Sequence, residues 1–217
     1  MKKYELVNQR EDGLWQIKAL KSFRDVKIGE LGGWVKSEQN LSHTGNAWVS
    51  GDARVFGDSA RISGNARVFG NATVFGSAKV SGNARISDSA TVFGNARISN
   101  SAKVSGNAWV SGNAWVFGNA RISDSAKVSG DAWVSGDARI IQNSDYTVFK
   151  NNLTSQRYYT YIFTNDFWVI GCFRGNTDEL KKHLEKNGNE LQKIEYNMAI
   201  EYVQKLKEIK EKMAVKR

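Results

Sequence analysis

Residues 66–98 read ARVFGNATVFGSAKVSGNARISDSATVFGNARI, a six-residue phrase that keeps an alanine and a β-branched aliphatic residue in fixed places. The same phrase runs sixteen times from Ala47 to Ile140, and in every copy Val or Ile follows the alanine by two residues. A period of six is neither helical nor a single long strand; it fits a short strand followed by a turn. Residues two apart on a strand share a face, so alanine and valine point the same way. That face must be the interior. The residue between them is Arg or Lys in ten of the sixteen copies, and an interior cannot hold a row of unpaired charges. Gly-Asn, Gly-Asp and Asp-Ser pairs then supply the turn dihedrals.

Val68-Phe-Gly-Asn-Ala72 and its copies resemble the hexapeptide signature of the left-handed parallel β-helix family, an aliphatic residue followed four positions on by a small one. The resemblance covers 94 of the 217 residues. It implies a mainly β fold, a left-handed parallel β-solenoid with about 18 residues per coil, three hexapeptides making one triangular turn. Sixteen copies then give about five coils, each rising about 4.8 Å, the spacing of paired strands.

Stacking residues 18 apart sorts the outward side chains onto three walls. One wall carries Arg67, Arg85, Lys103, Arg121 and Arg139, with Phe69, Ser87, Ser105 and Ser123 in the parallel file. A second carries Thr73, Thr91 and Trp109 beside Phe56, Phe75 and Phe93. The third begins with Arg61, Lys79 and Arg97 and changes to Trp115, Phe117 and Trp133. Between Val55 and Ile62 the spacing is seven, which reads as one longer corner at Gly57-Asp-Ser-Ala60.

Outside the repeat, Tyr4–Val7 and Leu14–Leu20 read as strands joined by a turn ending in Asp12-Gly13, a β cap over the open end of the solenoid. After Ile140 the period is lost. Tyr146–Lys150 reads as a strand and Tyr158–Phe163 with Phe167–Phe173 as a hairpin around Asn165-Asp166. A helix follows, capped by Thr177 or by Asn176 with Glu179, and ends before Asn187-Gly188. A second helix, from about Glu190 to Lys212, places Leu191, Ile194, Met198, Tyr202, Leu206, Ile209 and Met213 on one stripe, the expected packing face. The expected division is a cap over residues 1–33, a β-helix over 34–143 and an α+β module over 144–217.

The formal charge of +9 is spread along the chain, +2 before residue 47, +4 through Ile140 and +3 thereafter, so there is no basic tail. A single cysteine, Cys172, excludes an intrachain disulfide and fits a reducing compartment. With a polar start and no long apolar run, the expectation is a cytoplasmic protein without membrane contact. Cys172 lies in an apolar strand and reads as a buried, inert thiol.

Left-handed β-helix proteins include acyltransferases with a histidine base, and carbonic anhydrases that need three histidine ligands. With only His43 and His183 a metal centre is not expected, and no cofactor is. His43 is the weak catalytic candidate, for acyl transfer at a subunit boundary. The arginine file offers a different chemistry: like charges about 4.8 Å apart repel by about 0.9 kcal/mol even in water, and an anionic partner relieves that. The outward aromatics exceed what a monomer usually exposes, and other subunits or the last helix are expected to cover them.

Leu31-Gly-Gly-Trp-Val35, Ser37-Glu-Gln-Asn-Leu-Ser42, Gly45-Asn-Ala-Trp-Val49 and Trp168-Val-Ile-Gly-Cys-Phe-Arg-Gly175 are similar to the lead-in and C-terminal module of phage- and prophage-encoded hexapeptide-repeat proteins. This resemblance implies a non-enzymatic scaffold that binds a host protein or protein–nucleic acid complex. An inhibitor of a host nuclease or CRISPR-type defence is the specific form; the alternatives are an acyltransferase using His43 at a subunit interface and a structural virion component. Arg67, Arg85, Lys103, Arg121 and Arg139 are the candidate binding residues. Trp109, Trp115 and Trp133 with Phe56, Phe75 and Phe93 are the candidate interface of a homodimer or homotrimer.

Overall fold

The computed structural model describes residues 2–214 and divides into two units, Met1–Asn143 and Ser144–Arg217. The first is a parallel β-solenoid of about six turns. Each hexapeptide contributes a two-residue strand, such as Arg85–Ile86, and pairs in parallel with the strands one coil before and one coil after. Every repeat alanine and its partner Val or Ile, from Ala47 and Val49 to Ala138 and Ile140, is at most 1 % exposed. The interior is a narrow aliphatic column, and full burial of each Val or Ile contributes roughly 1.5–3 kcal/mol.

Corner geometry follows from one position in the phrase. The residue two after the buried aliphatic has positive φ at corner after corner, and it is Gly except at Asp88 (58°), Asn100 (56°) and Asp124 (54°). Asp and Asn are the non-glycine residues that visit the left-handed region most readily. At Gly82 an added Cβ would lie 2.7 Å from the Asn100 backbone nitrogen, so close stacking of corners excludes a side chain there as well. Asparagine files run along the edges: the Asn46 amide donates to Asn65 Oδ1 and the Asn65 amide to Asn83 Oδ1, both at 3.1 Å. The extra corner residue lengthens one coil. Trp48 pairs with Arg67 and Arg54 with Thr73, 19 apart, before the 18-residue register resumes at Arg61 and Lys79.

The stack is longer than the five coils counted from hexapeptides, because the lead-in completes a turn without repeating the phrase. Trp34 and Val35 pair in parallel with Arg54 and Val55, Leu41 bridges Ile62, and Val35 and Leu41 are fully buried. Gly33 is required here, since a Cβ would meet the Ala53 carbonyl oxygen at 2.7 Å.

Each coil donates its N–H groups to the coil that follows, as Trp48 N–H does to the Ala66 carbonyl, so the carbonyls of the first turn have no coil to accept from. The cap supplies the donors. Lys3 Nζ donates to the Ala47 carbonyl and the Tyr4 hydroxyl to the Leu41 carbonyl, both at 2.7 Å, while inside the lead-in turn the Asn40 amide donates to the Gly57 and Ala60 carbonyls of the next coil. At the far end the Asn143 side chain accepts from the Lys127 N–H at 2.7 Å. The cap has three strands: Tyr4–Gln9 pairs antiparallel with Trp15–Ala19, and this in turn with Leu31–Val35.

The second unit is a four-stranded antiparallel sheet, Tyr146–Lys150, Tyr158–Ile162, Phe167–Ile170 and Phe173–Gly175, followed by α1 (Thr177–Asn187) and α2 (Glu190–Ala214). Phe167–Phe173 is thus two strands, broken at Gly171, whose φ is 56°. Of the two possible caps for α1 the backbone uses Asn176, whose side chain accepts from Glu179 N–H while Glu179 accepts from Asn176 N–H. The stripe expected to pack on α2 does not. Leu191, Ile194, Met198, Tyr202, Ile209 and Met213 are exposed and Leu206 is half-buried, whereas Tyr196, Ala199, Ile200 and Val203 are buried against Tyr159, Tyr161 and Trp168. The helix carries two apolar faces, and the sheet takes the second.

Candidate binding faces of the solenoid

Arg67, Arg85, Lys103, Arg121 and Arg139 are consecutive partners in one six-stranded wall. They are not equivalent. Arg67 donates to Asp25 of the cap, and that hydrogen bond pulls the Asp25 carboxyl down to about 2 and raises the Arg67 guanidinium. The loop around Asp25 also brings Phe23 edge-on to Trp48 and buries Val26 beside Trp48 and Arg67, so the cap covers the first rungs of this wall. Beyond it Arg85, Lys103, Arg121 and Arg139 are exposed, and Arg85, Lys103 and Arg121 have no carboxylate partner among the described residues. The corner acids do not neutralise them. Asp88 accepts from the Gly106 N–H at 3.0 Å and from the Ser87 hydroxyl at 3.3 Å, and Asp124 accepts from the Ser123 hydroxyl at 3.1 Å. Those carboxylates serve corner geometry, and the ladder keeps its charge. Ser87, Ser105 and Ser123 line it with short side chains, leaving the cations accessible from that side.

The outward aromatics are arranged differently from the expectation that a partner must cover them. Phe56 stacks on Phe75 with centroids 5.2 Å apart and Phe75 on Phe93 at 5.0 Å, the ring planes of each pair nearly parallel, because the strand spacing matches the preferred separation of offset rings. All three are half-buried by one another. Trp109 meets Phe93 edge-on and lies 5.0 Å under Lys127 Nζ. Trp115 is sandwiched between the Arg97 guanidinium at 5.0 Å and Trp133 at 5.2 Å. Ring stacking and cation–π contacts therefore hold successive coils together, and of this set only Trp109 is more than about a third exposed. A groove of about 340 Å³ between Lys79, Arg97 and Trp115 marks the point where the third wall changes from cationic to aromatic.

His43 is built into the cap. Its ring stacks on Tyr4 with centroids 4.3 Å apart, Nδ1 accepts from the Lys3 N–H at 3.2 Å, and Nε2 faces Glu38 at 3.4 Å. The lone pair that a general base would use is already taken by the backbone, and what the ring does here is fix the N-terminal strand over the first coil.

Cys172, expected to be buried, is exposed at the turn after Gly171. The apolar pattern around it belongs to the flanking strands, and the turn lifts the thiol out. It lines a cavity of about 550 Å³ with Arg174, His183, Asn187 and Tyr196, within the second unit. The described residues contain no cluster of three or more metal-ligating His, Cys, Asp or Glu, and no helix long and apolar enough to cross a membrane.

Three polar centres escaped the sequence reading. Lys3 is fully buried, and desolvation with the nearby Lys21 lowers its ammonium to about 8. Asp166, which reads as a turn residue, accepts from the Tyr161 hydroxyl, both donors of Thr177 and Lys207 Nζ; burial opposes its ionisation, but these hydrogen bonds outweigh burial and hold it at about 2. Glu195 accepts from Leu153 N–H and the Thr154 hydroxyl. A buried lysine just ahead of the first strand carries no local signature, because its partner lies 44 residues away.

Comparison with known families agrees with this architecture. The family described as YdcK Beta solenoid repeat matches residues 60–76, 66–81 and 78–93, within the regular part of the repeat. No curated protein matches the chain.

Proposed function

We propose that this protein is a non-enzymatic binding scaffold whose working surface is the cationic file Arg85, Lys103, Arg121 and Arg139. The observation that carries this reading is a contrast within one wall: Arg67 is given a carboxylate by the cap, while Arg85, Lys103 and Arg121, in the same register, have none among the described residues. The strand repeat holds these charges in line at about 4.8 Å intervals. A rigid row of this kind fits a partner that presents anions in succession, a nucleic acid backbone or the acidic surface of a protein complex. The phage-like lead-in and C-terminal segment make a host nuclease or CRISPR-type defence complex the partner to test first, with inhibition as the expected consequence.

Charge reversal decides it. The triple variant Arg85→Glu, Lys103→Glu and Arg121→Glu should keep its circular dichroism and unfolding midpoint, since the three side chains are exposed, and should no longer capture its partner. With duplex DNA as the probe, loss of three phosphate contacts should reduce the salt dependence of log K by about 3. Undiminished capture by a folded triple variant would remove the ladder from the function.

A further inference from the structure

Helix α2 is fastened to its own module by one side and leaves the other uncovered. On the fastened side Ile200 and Val203 are buried, Tyr196 accepts from the Asn151 amide at 2.6 Å, and Glu195 holds Leu153 and Thr154. Towards the C-terminus Lys207 reaches Asp166 at 2.9 Å, and Lys210 sits over the Phe163 ring and donates to the Ser144 carbonyl. These attachments span the helix, so it cannot roll to bury its other face. That face carries Leu191, Ile194, Met198, Tyr202, Ile209 and Met213, each between 44 % and 62 % exposed. Steps of three and four residues with one gap at Lys205 keep the six on one line about 33 Å long. Scattered exposed leucines need no explanation, but a continuous apolar seam of this length does.

The charges along the helix name the occupant. Beside the open seam residues 190–201 place Glu190 and Glu201, and residues 202–214 place Lys205 and Lys212 against Glu208, so the flank is −2 in the first half and +1 in the second, while Glu195, Lys207 and Lys210 are engaged on the fastened side. We propose that this face pairs antiparallel with the same face of a second copy of the chain. Antiparallel pairing about Tyr202 sets the acidic half of each helix against the basic half of the other, brings Leu191 beside the second copy's methionine at 213, and places Glu190 near the opposite Lys212 and Glu201 near the opposite Lys205. Parallel pairing would stack like charges along the whole seam. Edge contact with Phe149 at 5.7 Å holds the Tyr202 ring at the centre of the two-fold arrangement. Two such faces bury on the order of 1,000 Å² in total, at the lower limit for a specific contact, so the dimer should form in the micromolar range.

The full-length chain should sediment as a reversible dimer at about 100 μM, and Met198→Glu with Tyr202→Glu should raise the dissociation constant at least about a hundredfold while leaving the fold intact. Orientation is read by cross-linking in a Cys172→Ser background. Leu191→Cys combined with Met213→Cys should oxidise to a covalent dimer, and Leu191→Cys alone should not. A chain that stays monomeric at that concentration overturns the proposal; so does a dimer indifferent to the glutamate substitutions, which would place the contact elsewhere. Self-cross-linking of Leu191→Cys alone would establish parallel pairing and overturn it equally.

Discussion

The solenoid and the C-terminal module treat an apolar residue in opposite ways. In residues 47–140 position decides its fate: an aliphatic side chain two after an alanine is inside, without exception, and the stacked Phe75 and Phe93, one residue further on, are outside. In α2 apolar residues occupy most of two faces, and the more conspicuous stripe is the one left in water. A strand of period two offers only two sides, and the charged residue between alanine and valine eliminates one. A helix offers a continuous circumference, and which arc is buried depends on what stands beside it. Here that is the aromatic surface of Tyr159, Tyr161 and Trp168, which accommodates Ala199, Ile200 and Val203 closely.

The largest effect that could break this contrast comes from placing a charge at equivalent-looking apolar positions. Ile98→Asp in the solenoid should cost about 5 kcal/mol or more, enough to unfold neighbouring coils, because the carboxylate has neither water nor partner. Leu191→Asp should leave the unfolding midpoint of dilute protein almost unchanged. Truncation sharpens the same point within one helix. Ile200→Ala should destabilise the module by about 3 kcal/mol and Ile194→Ala by less than about 0.5 kcal/mol, both measured by chemical denaturation. Equal losses would mean that α2 packs by the face the sequence advertises.

Corner chemistry gives a smaller difference. Asn100→Ala should cost about 1 kcal/mol, because its φ of 56° is strained for alanine, while Asn100→Gly should be neutral or slightly stabilising.

The mildest test is by pH, and the two units should respond at opposite ends of the scale. Asp166 ionises at about 2 in the folded module against an ordinary 3.8, so its contribution is complete above pH 4 and is lost as pH falls towards 2. The advantage of the native chain over Asp166→Asn should shrink across that interval. Lys3 loses its proton at about 8 when folded against 10.5 when free. Between those values the unfolded chain binds more protons, so cap stability should rise with pH from 8 to 9.5, and Lys3→Met should abolish the rise.

Much of the candidate site was readable before any coordinates. Register follows from counting 18 residues, so the alignment of Arg85, Lys103 and Arg121 needs only the repeat. What counting misses is the company each rung keeps. Arg67 is paired with Asp25, 42 residues earlier, and nothing in the local phrase distinguishes it from Arg85. The aromatic files were legible as files, but their mutual stacking required the actual separation of the coils. Cys172 was misplaced because apolar neighbours describe a strand and not the turn within it.

By itself the amino-acid order determined the solenoid: its inward column, its three walls, its corners, and the lines in which charge and rings are displayed. Local chemistry repeated at a fixed interval leaves a strand no alternative that avoids burying arginine. Only the tertiary structure decided which rung of the ladder is neutralised, how the first coil's carbonyls are satisfied by Lys3 and Tyr4, and which face of α2 remains open. Those outcomes depend on partners tens of residues distant in the chain, and a contact of that kind leaves no period for the sequence to show.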